Sequence, residues 1–133
     1  MSSNPIILFV GAYPNMADAK DDLKAVDGLY RFKTIGAYQA AIVARDANGE
    51  LQVEQADRSY GRHIVNNLTQ SAIKEMGQLL SPGKILLVVV TESEAHHALR
   101  SAMVKATRSI DTEAPSDSKG FQTELDAAVR GLA

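Results

Sequence analysis

Two guanidinium groups, a phenol and an imidazole fall within six residues of this chain: Arg58, Tyr60, Arg62 and His63, with Gly61 among them. A guanidinium fork matches the oxygens of a carboxylate or phosphate, and a phenol and an imidazole add donors beside it. This stretch is therefore the candidate site for a small anionic ligand. Gly61 lets the backbone bend, although no phosphate-loop spacing surrounds it. The plain alternative is that residues 55–63 form a solvated polar connector.

Other residue types with chemical potential are placed less favourably. His96 and His97 are adjacent, so on a helix they point about 100° apart and cannot make the i, i+4 pair that clamps a metal. Asp18, Asp21 and Asp22 resemble an acidic cluster, but at the start of a helix they also suit its dipole and solubility. No GxSxG elbow or GxGxxG loop occurs, and the chain has no Cys. That removes thiolate catalysis, disulfides and sulfur-ligated metal centres. No catalytic residue, metal or cofactor is expected, and the reading leans away from an enzyme. An enzyme of the small α+β barrel type, with a His or Tyr moving a proton, is the third-ranked option.

Composition narrows the classes further. With 14 Lys+Arg against 16 Asp+Glu in 133 residues, the net charge is -2. No basic field of the kind that gathers nucleic-acid phosphates exists, so no nucleic-acid partner is expected. No stretch approaches the roughly 20 apolar residues of a membrane-spanning helix, and the N-terminus lacks the charged start of a secretory signal. The expected setting is the cytoplasm.

The elements that must position any site are signalled by periodicity. Residues 84–90, KILLVVV, hold six consecutive apolar positions between Pro82-Gly83 and Thr91-Glu92. So short an apolar run reads as a strand buried on both faces. An apolar strand at 6–10 precedes a helix over about 16–32, with Asn15 as its cap and Ala19, Leu23, Val26 and Tyr30 on one stripe. Asn48-Gly49, between apolar runs at 38–44 and 51–54, predicts a hairpin. A second helix follows through Ile64, Leu68, Ala72 and Met76, and stops at Ser81-Pro82-Gly83. Thr91 and Glu94 fit a capping box for a third helix, Ile110 marks a weak fifth strand, and Phe121, Leu125 and Val129 outline a last helix.

The first six elements have the βαββαβ order of a ferredoxin-like α+β domain, with two helices over one face of an antiparallel sheet. The expected division is an α+β sandwich over residues 1–113. Residues 114–133 then form a linker and a C-terminal helix that packs on the domain or on a partner subunit. In the ferredoxin-like order the doubly apolar strand lies at the sheet edge, where it needs a cover; a second copy would supply one, so a homo-oligomer is expected.

YQAAIVARDANGELQV at 38–53, EMGQLLSPGK at 75–84 and ILLVVV at 85–90 resemble the bacterial family known as domain of unknown function 1269, over roughly three-quarters of the chain. Members of that family carry a long Gly- and Ala-rich apolar segment between hairpin and second helix, where this chain has only residues 56–63. The resemblance implies a fold and a possible stress association, and brings no catalytic residue. The expected function is a non-enzymatic, self-associating structural or regulatory domain. The alternative is a regulatory module that binds a small anion through residues 58–63.

Overall fold

The computed structural model describes residues 6–58, 68–115 and 118–132. Five strands and four helices follow along it: β1 (Ile6–Ala12), α1 (Met16–Arg31), β2 (Tyr38–Arg45), β3 (Leu51–Asp57), α2 (Gln70–Gln78), β4 (Ile85–Glu92), α3 (His96–Ala102), β5 (Arg108–Ala114) and α4 (Ser118–Leu132). All strands join one sheet in the order β3-β2-β4-β1-β5, and every neighbouring pair is antiparallel.

This order corrects the ferredoxin-like expectation. β4 lies at the centre, with Val88 opposite Val10 of β1 on one side and Ala41 of β2 on the other. Helices cover both faces of the sheet. Ala19 and Val26 of α1 and Leu99 of α3 pack on Ile7, Phe9, Ile42, Leu87 and Val89. Ala72 and Met76 of α2 and Phe121, Leu125 and Val129 of α4 pack on Leu8, Val43, Leu86, Val88 and Val90. The run Leu86–Val90 is fully buried because each face of β4 meets a helical layer of its own chain. Full burial of each such side chain contributes about 1.5–3 kcal/mol, so a central place between two layers uses the run better than an edge would.

Local signals explain most boundaries. Asn15 caps α1 by accepting from the Asp18 N–H at 2.8 Å, as the polar start predicts. The hairpin turn is held by Asp46, whose Oδ1 accepts the N–H groups of Asn48 and Glu50, while Gly49 takes φ 83°. The weak strand signal at Ile110 is β5, which pairs with β1 along its length. The capping box is not formed. Thr91 is the penultimate residue of β4 and donates its hydroxyl to the Ala37 carbonyl at 2.8 Å. A 3-10 turn at Ser93–Ala95 then leads into α3, whose start has no side-chain cap. Sheet pairing claimed the threonine first. Among the described residues no helix is long and apolar enough to cross a membrane.

Candidate functional site

Lys20, Lys24, Asp27 and Arg31 follow one another at spacings of four, three and four, so α1 carries them on a single stripe. That stripe borders β3, where Lys20 Nζ lies 3.6 Å from Glu54 Oε2. At its middle stands Asp27, which accepts four hydrogen bonds from three side chains. Tyr38 donates its hydroxyl to Oδ1 at 2.7 Å, Arg58 Nε reaches Oδ1 at 3.0 Å and its second terminal nitrogen Oδ2 at 3.3 Å, and Arg31 Nε reaches Oδ2 at 2.8 Å. The Arg58 guanidinium also lies over the Tyr30 ring, 5.6 Å from its centroid, an additional attraction for a cation.

The electrostatics follow from that geometry. The Tyr38 hydrogen bond, aided by Arg58 and Arg31 and opposed by partial burial, holds the Asp27 carboxyl down at about 2. Burial, with the bond to Asp27, pushes the Tyr38 phenol well above its ordinary value. Asp27 is thus a fixed anion that positions two guanidinium groups; it neutralises one positive charge and leaves the other.

Arg58 forms the wall between two open clefts. One, of about 460 Å³, is lined by Tyr30, Arg31, Lys33, Thr34, Arg58 and residues 35–37. The other, of about 340 Å³, lies between α1 and β3 under Lys20, Leu23, Lys24, Tyr38, Glu54 and Ala56. Lys33 enters the first cleft from a left-handed backbone conformation, φ 60°, that ends α1, and the Thr34 N–H turns back to the Leu29 carbonyl at 2.8 Å. Lys20, Lys24, Arg31, Lys33 and Arg58 face only Asp27 and Glu54 among the charged lining residues. Among the described residues the corner carries an excess of three positive charges, on a chain whose net charge is -2. The Glu92 carboxylate, near Gly36, tempers this field at the outer rim.

Of the four residues singled out in the sequence, Arg58 stands in the middle of this corner. Tyr60, Arg62 and His63 lie outside the described residues. The chain on either side of them is anchored at the start of β2: the Arg58 N–H donates to the Tyr38 carbonyl at 2.8 Å, and the Leu68 N–H to Gln39 Oε1 at 3.0 Å. Lys20, Lys24, Asp27, Arg31 and Lys33 were not among the sequence candidates. Their helical spacing was visible, but the acidic residues of the same helix dominated its reading.

Of the acidic residues at the start of α1, Asp22 differs from the solvated face expected of it, while Asp18 lies in the first turn and Asp21 is exposed. Asp22 is buried and accepts the Tyr13 hydroxyl at 2.6 Å and the Lys105 N–H at 3.0 Å, while Asp21 pairs with Lys105 Nζ at 2.6 Å. Burial first, then the bond to Asp22, pushes the Tyr13 phenol far up. His96 pairs with Asp111, which Arg100 also reaches at 2.8 Å. Partial burial pushes the Asp111 carboxyl up, but the bonds from His96 and Arg100 outweigh it and hold the group below the usual range. Among the described residues, no three His, Asp or Glu side chains gather as metal ligands would. No family model, curated protein or solved structure matches the chain.

Proposed function

We propose that this chain is a non-enzymatic regulatory module that binds a small anion at the Arg31, Lys33 and Arg58 corner. The observation that carries the reading is the convergence, among the described residues, of five cations and two carboxylates on two adjoining clefts. Arg58 and Arg31 are pre-aimed by Asp27, so little side-chain entropy is lost when an anion binds. The clefts have the size of small-molecule sites. A bound carboxylate or phosphate would meet two guanidinium groups and an ammonium, and among the described residues no nucleophile paired with a base adjoins them, which supports binding without turnover. The resemblance to the domain of unknown function 1269 family adds no residue to this reading.

The test is a nuclear magnetic resonance titration with inorganic phosphate at fixed ionic strength. Amide shifts are expected at residues 31–37 and at Arg58. Arg58→Gln should weaken the fitted affinity about tenfold, since a charge-assisted hydrogen bond contributes about 1.5–3 kcal/mol. Arg130→Gln, on the exposed side of α4, should change nothing. Equal effects from the two substitutions, or shifts scattered over the surface, would show only diffuse counter-ion attraction and end the proposal. Lys33→Gln, at an exposed position, repeats the test without disturbing Asp27.

Self-association is the second reading, and its ground has moved. The apolar run of β4 is covered within the chain, whereas edge strand β3 exposes Leu51 and Val53 beside Ile73 of α2. An exposed apolar edge invites pairing with another strand. Sedimentation equilibrium of the wild type and of Val53→Lys checks it, with a shift toward monomer expected in the variant.

A further inference from the structure

The narrower cleft differs in character from the wider one. Beneath its charged rim the surface is carbon, from Leu23 of α1 and Ala56 of β3, over the buried ring of Tyr38, whose hydroxyl is turned toward Asp27. An inorganic anion held on Arg58 would leave that carbon surface in water, whereas a ligand with an apolar group would cover it. We infer that the ligand is a small carboxylate with a short acyl or aryl group, its head on Arg58 and its carbon portion in the cleft between α1 and β3. The inference rests on the anion-binding reading above and narrows its ligand class.

Arg58 gives such a molecule its point of attachment. It lines the narrower cleft together with Ala56 and Leu23, so a carboxylate held there by the guanidinium has carbon surface within reach of its next atoms. Above the carbon floor, the Lys20 and Glu54 side chains form the rim pair across α1 and β3, and both are about half exposed, at 54% and 50%. A pair so exposed contributes little to stability and can part at small cost to admit a ligand. Lys20 and Lys24 then add positive charge along the entry, which favours a carboxylate over a neutral molecule with the same tail.

Chain length tests this directly. Acetate, propionate and butyrate, titrated at fixed ionic strength, should bind with affinities that rise about fourfold per methylene, the ratio that corresponds to about 0.8 kcal/mol for each methylene buried. Shifts at the Leu23 and Ala56 amides should grow along the series, and benzoate should bind at least as well as butyrate. Ala56→Leu fills the cleft, and should flatten the series while acetate and inorganic phosphate bind as before. Equal affinities for acetate and butyrate would overturn the inference and leave the anion site standing. Absence of localised shifts with every probe would overturn both. An Ala56→Leu variant that weakened acetate as much as butyrate would also count against a separate carbon-lined cleft.

Discussion

Two tyrosine–aspartate pairs are built on the same helix, five residues apart, and the molecule uses them in opposite ways. Tyr13 donates to Asp22 at 2.6 Å and Tyr38 to Asp27 at 2.7 Å. Asp22 is completed by the backbone N–H of Lys105 and sealed at 2% exposure, so it staples α1 to the segment that leads into β5. Asp27 is completed by two arginines and opens onto two clefts. The bond is the same; what completes the carboxylate decides its role. A backbone donor in a dry setting makes a structural tie, and side-chain cations at a water boundary make a place where an incoming anion can share them.

The comparison predicts its own largest effect. Asp22→Ala leaves the Tyr13 hydroxyl and the Lys105 N–H without their acceptor in a buried setting, and should cost about 3–4 kcal/mol in urea unfolding. Asp27→Ala should cost less, about 2 kcal/mol, because Arg31 and Arg58 regain water and only the Tyr38 hydroxyl is stranded. Phosphate affinity should respond in the reverse order: Asp22→Ala, measured well below its unfolding midpoint, should leave binding intact, and Asp27→Ala should weaken it by releasing Arg58. Equal stability losses, or binding lost only in the Asp22 variant, would erase the distinction between tie and site.

A second difference is electrostatic. The Asp27 carboxyl sits near 2 in the folded chain, below its ordinary value of 3.8. A depressed carboxylate contributes stability that is fully present above the unfolded value and is lost as pH falls through the folded one. Urea midpoints should therefore decline between about pH 4 and pH 2. Asp111 is lowered too and declines in the same direction, so the Asp27 share is isolated by Asp27→Asn. That variant should be less stable at neutral pH, yet show a shallower decline over the same window. An unchanged slope would mean that the Tyr38 and arginine contacts do not favour the charged carboxylate.

Much of this arrangement was legible before the strand order was known. The caps and periods of α1, the Asn48-Gly49 hairpin and the buried character of residues 85–90 are local properties, and local chemistry fixes them. Strand order is not local. The same apolar run satisfies an edge covered by a partner or a centre covered by two helical layers, and the choice was made by Phe121, Leu125 and Val129 of α4, which supply part of a second layer. Thr91 was misread for a related reason, since its hydroxyl had a carbonyl 54 residues away as a competing partner. At the site, Arg58 was visible because Arg is conspicuous in a polar connector. The Lys20, Lys24 and Arg31 stripe was equally present, but its meaning depended on β3 returning alongside α1, and 31 residues separate Asp27 from Arg58.

Lys33 offers the smallest effect and the sharpest division between stability and function. Its φ of 60° is where a side chain is disfavoured and glycine is at ease, and it closes α1 in the position that helices commonly give to glycine. Lys33→Gly should therefore stabilise the fold, by about 0.5–1 kcal/mol after allowance for the added freedom of the unfolded chain. The same substitution removes an ammonium from the wider cleft and should weaken phosphate binding about threefold to fivefold, the loss of one partly screened charge. A stabilised variant that binds less well would mean that the lysine is held in an unfavourable conformation for the sake of the anion. A stabilised variant with unchanged affinity would return Lys33 to the surface as an ordinary solvated residue, with the site reduced to its two arginines.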